Sequence, residues 1–178
     1  MHALKLGLAL CSLASLPVWA APAATVAAVQ SPAWLERAGR VQPLAVGMEI
    51  RNGDRVRTGE DGRAHLALAE GSSVKLGAVA RLAFFNMSDR PRTQFKGALD
   101  VVNGAFRFTT DALKRVKSRD VAIRVGTATA GVRGTDVWGR SNAQEDLVCL
   151  IEGKIEVWHA ELPAPLSMSE PMTFFVAP

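Results

Sequence analysis

The stretch VAIRVGTATAGVRGTDVWGR, residues 121–140, decides the fold class of this chain. Its first residues alternate between apolar and other side chains, with the period of two that a β-strand requires. Small residues then accumulate from 126 to 134, before Val137 and Trp138 resume a strand-like pattern. Small residues between two strands indicate that backbones pass close to one another. The stretch therefore predicts a strand, a tight crossing and a second strand, without a cluster of catalytic or metal-binding side chains.

The rest of the chain repeats this pattern of short strands and turn residues. Alternating segments, for example 33–37, 55–58 and 147–151, are separated by Gly, Asp and Asn at intervals of about 8 to 12 residues. The dipeptides Asn103-Gly104 and Glu152-Gly153 predict β-hairpins. The sequence thus predicts an all-β protein, either a β-helix or a jelly-roll-like domain of short strands, because both bury alternate residues.

The first twenty residues have the features of a secretory signal peptide. Lys5 gives a basic start, residues 6–16 are an apolar run, and Ala20 offers a small residue for cleavage. A run of about eleven residues is too short to span a bilayer. We expect an exported, periplasmic protein without a transmembrane anchor. Its β domain would cover residues 21–160, and a proline-rich tail with a candidate final strand would cover 161–178.

Charge and cysteine content narrow the choice of partners. The formal net charge of +4 is a mild excess of basic residues. The sequence has no basic stripe with interleaved aromatic residues, so it does not predict nucleic-acid binding. The basic run at 114–119 has acids beside it, which indicates a solvated loop or a docking patch for an anionic partner. Cys149 is the one cysteine beyond the signal peptide, and its apolar neighbours predict a buried thiol without a disulfide.

The inventory of reactive side chains does not predict an enzyme. Beyond the signal peptide the histidines are His65 and His159, and neither has a cysteine or carboxylate at ligand spacing. We therefore predict no metal site and no cofactor. Ser141 lacks the strand–turn–helix setting of a nucleophile elbow. The acids gather at turns, where carboxylates commonly accept hydrogen bonds from their own backbone.

Three side chains remain as candidates for binding a partner. Arg133 carries a planar guanidinium group that suits a carboxylate or phosphate. The competing interpretation, which we favour, is a buried arginine held by backbone carbonyls or by an acid such as Asp54. Trp138 and Trp158 either pack in the core or lie on a sheet face as anchors for a partner.

The order and spacing of these motifs resemble those of the FecR-domain family over residues 39–157. The resemblance is carried by these segments: Gly47, Gly53-Asp54-x-Val56-x-Thr58, residues 64–68, Glu70-Gly71-Ser72-x-Val74, Leu82, Asn103-Gly104, Gly131-Val132-Arg133-Gly134-Thr135 and Glu152-Gly153-x-Ile155-x-Val157. It implies a structural role for the following residues at the corners of the fold: Gly53, Asp54, Thr58, Gly71, Gly131, Gly134, Thr135 and Gly153.

The resemblance also implies a periplasmic or envelope all-β domain. The type members of the family relay a signal from an outer-membrane iron-chelate receptor, across the inner membrane, to an extracytoplasmic sigma factor. In this sequence the predicted signal peptide stands where those regulators have a cytoplasmic segment and a membrane helix, so we do not expect direct contact with a sigma factor. We expect a non-catalytic interaction or signal-relay module that binds an envelope protein. The alternative is a module that binds an envelope glycan such as peptidoglycan.

Overall fold

The computed structural model describes residues 22–85, 95–110 and 119–177, and every regular element among them is a β-strand. The all-β prediction is therefore confirmed. The predicted signal peptide and nearly all of the basic run at 114–119 lie outside the described residues.

The strands are short, with one exception of fifteen residues. In chain order they are β1 (Ala24–Gln30), β2 (Ala33–Arg37), β3 (Arg40–Pro43), β4 (Glu49–Ile50), β5 (Arg55–Thr58), β6 (Arg63–Leu68), β7 (Ser73–Leu76), β8 (Arg81–Phe85), β9 (Phe95–Thr109), β10 (Arg119–Val125), β11 (Ala128–Val132), β12 (Asp136–Ser141), β13 (Asp146–Glu152), β14 (Ile155–Trp158), β15 (Leu166–Met168) and β16 (Thr173–Ala177). The predicted segments 33–37 and 55–58 coincide with β2 and β5.

The long strand β9 belongs to two sheets that pack on each other. Sheet A has the order β4-β1-β6-β7-β9-β12-β13-β16, and it uses the second half of β9. Sheet B has the order β3-β2-β5-β8-β9-β10-β11-β14-β15, and it uses the first half. Among the described strands all pairs are antiparallel except β9 with β10. Stacked β-helical coils would pair in parallel, so of the two predicted architectures the folded, jelly-roll-like one agrees with this pairing.

The side chains between the sheets form one hydrophobic core. Its largest fully buried members come from both sheets: Phe84, Phe106, Phe108, Leu35, Ile50, Leu66, Leu82, Leu99, Ile123, Leu150 and Ile155. Burying each such side chain stabilises the fold by about 1.5–3 kcal/mol. Because every second residue of a strand points inward, the intervening residues of the inner strands project from the two outer faces, where a partner can reach them.

The hairpin predicted at Asn103-Gly104 is wrong, because β9 continues through this dipeptide. A two-residue hairpin turn of this composition needs positive φ at both positions, but only Gly104 adopts it, at +85°. The bend instead transfers the strand from sheet B to sheet A. A side chain at position 104 would collide with the backbone of Ala80. The side-chain amide of Asn103 donates a 2.6 Å hydrogen bond to the Val79 carbonyl.

The hairpin predicted at Glu152-Gly153 is also wrong, because the two flanking strands lie in different sheets. β13 pairs in sheet A, and β14 pairs in sheet B. The chain makes the opposite transfer between β11 and β12, through Gly134 and Thr135. The two connections touch, since a Cβ atom at Gly153 would lie 2.7 Å from Thr135 Cγ2 and 2.8 Å from the Gly134 carbonyl oxygen. A close crossing within 121–140 is therefore present, but it is confined to residues 133–135, because the small residues at 128–132 form the additional strand β11.

We predict that Gly153→Ala destabilises the protein by about 2–4 kcal/mol, because it adds both left-handed strain and a collision. The control is Gly134→Ala, at a residue with φ of +74° and open space around its Cα. We expect this variant to lose only about 1–2 kcal/mol. Denaturant unfolding of wild type, Gly153→Ala and Gly134→Ala measures the free energy of unfolding of each. If both variants lost the same amount, steric contact between the two connections would not contribute to the effect of Gly153→Ala.

Candidate functional site

A shallow trough crosses the outer face of sheet B, at right angles to the strands. Its floor is a row of small residues on three neighbouring strands: Gly131 on β11 is opposite Ala122 on β10, which is opposite Ala98 on β9. The row continues to Glu156 at one end and Phe85 at the other. Two adjoining depressions, of about 260 and 390 Å³, follow this row. The short side chains of Ala122 and Ala98 leave the floor low on β10 and β9, whereas the missing side chain of Gly131 makes room for Trp158.

Trp158 forms the wall at the β14 end of the trough. Its indole ring lies across Gly131, and a Cβ atom there would be 2.8 Å from Cζ3 and 2.9 Å from Cη2. Only glycine at position 131 permits this placement. The side chain remains 41% exposed, so a large aromatic surface is held in a fixed position and is still open to a ligand.

Four charged side chains gather beside Trp158. Arg133 directly follows Val132, the last residue of β11, and Lys154 directly precedes Ile155, the first residue of β14, which pairs with Val132. Asp120 and Glu156 line the same depression as Trp158 and these two cations. Both signs of charge are therefore available within one depression, next to an aromatic ring.

An ion pair forms the wall of the second depression. Arg124 donates to Asp100 through Nε at 2.9 Å and through Nη2 at 2.5 Å. This two-point contact and the negative charge of Asp100 raise the pKa of Arg124 above its usual value. Exposed pairs contribute little to stability, about 0–1 kcal/mol, but the planar geometry fixes both side chains. Arg124 is opposite Thr129, which is opposite Trp158, so the wall is continuous across β14, β11, β10 and β9.

The trough is lined by charged, aromatic and small side chains. Ser, Cys and His are absent from the described residues that line the trough. In residues 22–85, 95–110 and 119–177, no group of three or more His, Cys, Asp and Glu is placed to hold a metal ion. Ser141 is buried and donates its hydroxyl hydrogen to Asp146 at 2.7 Å.

The buried position favoured for Arg133 is wrong, because its side chain is exposed on the outer face of sheet B. The buried acid Asp54 has another partner. It accepts hydrogen bonds from Arg37 Nε at 2.8 Å and Nη2 at 2.6 Å, and from the Arg51 amide at 2.7 Å. Arg37 lies on β2, next to the turn at Gly53. The spacing in the sequence could not distinguish between two arginines as partners of Asp54.

The two predicted tryptophan anchors do not form one surface. Trp138 is half-buried on the outer face of sheet A, opposite Cys149 of β13, whereas Trp158 is on sheet B. Cys149 is half-buried too, and not fully buried as predicted, and partial burial raises the pKa of its thiol. Sequence reasoning missed Lys154 and Asp120, which meet Arg133 only through strand pairing. Lys154 and Arg133 flank Ile155 and Val132, which pair across β14 and β11. The sequence could have indicated this site only if the pairing of these two strands had been predicted.

The remaining motif residues lie at corners of the fold. Thr58 Oγ1 donates to the Gly77 carbonyl at 2.7 Å and accepts from the Ala80 amide at 2.9 Å. Thr135 is buried, and its amide donates to Thr110 Oγ1 at 3.2 Å. Gly53 and Gly71 have positive φ, at +86° and +106°. In the trough, Gly131 is the exception, since it shapes a surface.

Comparison with known proteins agrees with this geometry. The family model for FecR protein matches residues 54–156, which is more than half of the chain and includes both sheet crossings. The chain belongs to the FecR family. The match covers β5 to the first half of β14 and so includes most of the trough, but Trp158 lies two residues beyond it.

Solved structures show the same fold at low sequence identity. Two crystal structures of a "putative anti-sigma factor" from Parabacteroides distasonis ATCC 8503 match with a TM-score of 0.53, at 16% and 15% identity. The alignment covers 69% of this chain and 58% of the Parabacteroides protein. Among curated proteins, no sequence matches that of this chain. In the described part of the chain there is no helix that could cross a membrane.

A buried acid holds the two sheets together at one end of this FecR-family domain. Asp146 accepts hydrogen bonds from Ser141 Oγ at 2.7 Å and from the amide and hydroxyl of Thr127 at 2.8 and 2.9 Å. Burial by itself raises the pKa of Asp146, but these hydrogen bonds and the nearby His159 outweigh it, so the pKa is lowered. The contacts connect the turn between β10 and β11 to strands β12 and β13.

We predict that Asp146→Asn destabilises the protein by about 1–3 kcal/mol at pH 7, because the new amide hydrogens face hydrogen-bond donors. The folded pKa of Asp146 is lowered, so its charge stabilises the fold above the unfolded value of about 3.9, and this contribution is lost as the pH falls through the folded value. The difference in the free energy of unfolding between wild type and Asp146→Asn should therefore be smaller at about pH 3 than at pH 7. Unfolding in urea at both pH values measures it.

The control for Asp146→Asn is Glu145→Gln, at the neighbouring residue, which pairs with Arg140 at the surface. We expect a change within about 0.5 kcal/mol at both pH values. If the loss of unfolding free energy caused by Asp146→Asn were the same at both pH values, the negative charge of Asp146 would not be what stabilises the fold.

Proposed function

We propose that this protein is a non-catalytic signalling or regulatory module of the cell envelope, which is exported to the periplasm and binds a protein partner through the trough on sheet B. Membership of the FecR family and the fold shared with the Parabacteroides protein support a signalling or regulatory role. The signal-peptide features of residues 1–20 support export.

The observation that carries the proposal is the fixed indole of Trp158 beside charges of both signs. Exposed tryptophan and arginine side chains are the types that most often dominate binding energy in protein interfaces. Arg133 and Lys154 offer donors to carboxylates of a partner, while Asp120 and Glu156 offer acceptors. Charges of both signs give an interface its register and exclude unsuitable partners.

The dimensions of the trough suit an extended segment of a partner. Its floor spans four strand spacings from β14 to β8, which is about 19 Å. A peptide of about six extended residues has that length. Because Ala122 and Ala98 have short side chains, the backbone of such a segment can approach the sheet closely beside the indole ring that covers Gly131.

The second candidate function is binding of an envelope glycan. The specific observation in its favour is that the indole ring of Trp158 lies against Gly131 and stays 41% exposed, next to the carboxylates of Asp120 and Glu156. A flat aromatic surface with adjacent hydrogen-bonding groups can also bind a sugar ring. Peptidoglycan would add carboxylates for Arg133 and Lys154.

Photo-crosslinking in cells separates these candidates. We replace Trp158 with benzoylphenylalanine, irradiate the intact cells and identify the adduct by mass spectrometry. We expect one discrete protein adduct, and we expect Arg133→Glu to reduce its yield by at least about tenfold, since an interface arginine commonly contributes more than 1 kcal/mol.

The matched control has the same probe at Trp138, on the outer face of the other sheet, and should not give this adduct. A product of high mass that a muramidase digests would favour the glycan. The same adduct from both positions, or the absence of any adduct at Trp158, would contradict the assignment of the trough.

A further inference from the structure

Among the described strands, four form the outer edges of the two sheets, and three of them are protected against pairing with another chain. β4 has only two residues. β15 has three residues and follows Pro163 and Pro165. β3 includes Arg40 and Pro43. Short length, charge and proline are the devices by which natural proteins prevent edge-to-edge association.

The fourth edge strand, β16, is longer than these three and has none of these devices within its own five residues; Pro171 and Pro178 lie outside it. Its sequence TFFVA, Thr173–Ala177, contains no charge and no proline. It pairs with β13 on one side, and within the described residues no strand pairs with its other side. Phe174 is 66% exposed and Val176 is 43% exposed. A strand with these properties is a ready template for strand addition.

The apolar character of β16 continues across the outer face of sheet A. Phe174 is opposite Cys149, which is opposite Trp138, and Val176 is opposite Leu147. We call these five residues the edge surface. Together they form a continuous apolar area next to an unpaired strand, whereas a stable monomer usually leaves its exposed apolar residues scattered.

We propose that the edge surface binds a second copy of this chain, by antiparallel pairing of β16 with β16 across a two-fold axis. In that arrangement Phe174 and Val176 meet the same apolar residues of the second copy. Residues 172–177 are all uncharged, so no pair of like charges opposes the pairing. Selection of a foreign partner normally uses complementary charges, and β16 offers none. Two-fold symmetric dimers are also the commonest closed assemblies.

The resulting dimer contains one sheet that runs from β4 of one copy to β4 of the other. The trough lies on sheet B of each copy, so both troughs stay open. The dimer thus presents two binding sites in a fixed relation to each other, which lets a partner with two copies of its recognition segment bind with increased avidity. This inference does not depend on the nature of the ligand in the trough.

Sedimentation equilibrium of the exported protein, from about 1 to about 200 µM, tests the proposal. We expect a monomer–dimer equilibrium within this range. Val176→Lys places two lysines near each other at the axis and should raise the dissociation constant by at least about tenfold. The control is Val46→Lys, at an exposed valine in the turn between β3 and β4, and it should leave the constant unchanged.

Hydrogen exchange shows whether the dimer forms through the proposed strand. Protection of the amides of Thr173–Ala177 should increase with protein concentration in the wild type and in Val46→Lys, but not in Val176→Lys. A protein that is monomeric at all concentrations, or a dimer that Val176→Lys leaves intact, would overturn the proposal. Protection of these amides only when an envelope extract is added would also overturn it, since a foreign strand would then be the occupant.

Discussion

The structure depends on the contact between two connections that cross from one sheet to the other. Gly153 packs against Gly134 and Thr135 at distances that leave no room for a side chain. As a result β11 and β14 are neighbours in sheet B, while β12 and β13 are neighbours in sheet A. The same contact lies at the last residue of β11 and the first residue of β14, and it therefore fixes the backbone positions of Arg133 and Lys154. A local steric constraint in this way determines which side chains share the trough.

Part of this organisation could be predicted from the sequence, because strand alternation and glycine corners are local properties. The segments 33–37 and 55–58 are strands as predicted, and the crossing within 121–140 is present. The two hairpins failed for a different reason. A glycine with positive φ serves a hairpin turn and a transfer between sheets equally well, and only the long-range pairing of β9, β13 and β14 distinguishes them.

The candidate site shows the same limit more sharply. Arg133 and Trp158 could be singled out by residue type, but their common surface could not, since it arises from the register of β11 with β14. The register also brings Asp120 and Lys154 to the trough, although they are distant in sequence. Arg37, and not Arg133, became the partner of Asp54, because the pairing of β2 with β5 places Arg37 next to the turn that contains Asp54. The proposed function therefore depends on contacts between strands that no single motif specifies.

Native-state hydrogen exchange at the crossing tests this account most directly. The amide of Thr110 donates to the Thr135 carbonyl at 3.0 Å, and the Thr135 amide donates to Thr110 Oγ1 at 3.2 Å. If the crossing is the constraint on which both sheets depend, these two amides should exchange only when the whole domain unfolds. Exchange of these amides as fast as that of the exposed turn at Gly39, while the core strands stay protected, would contradict it.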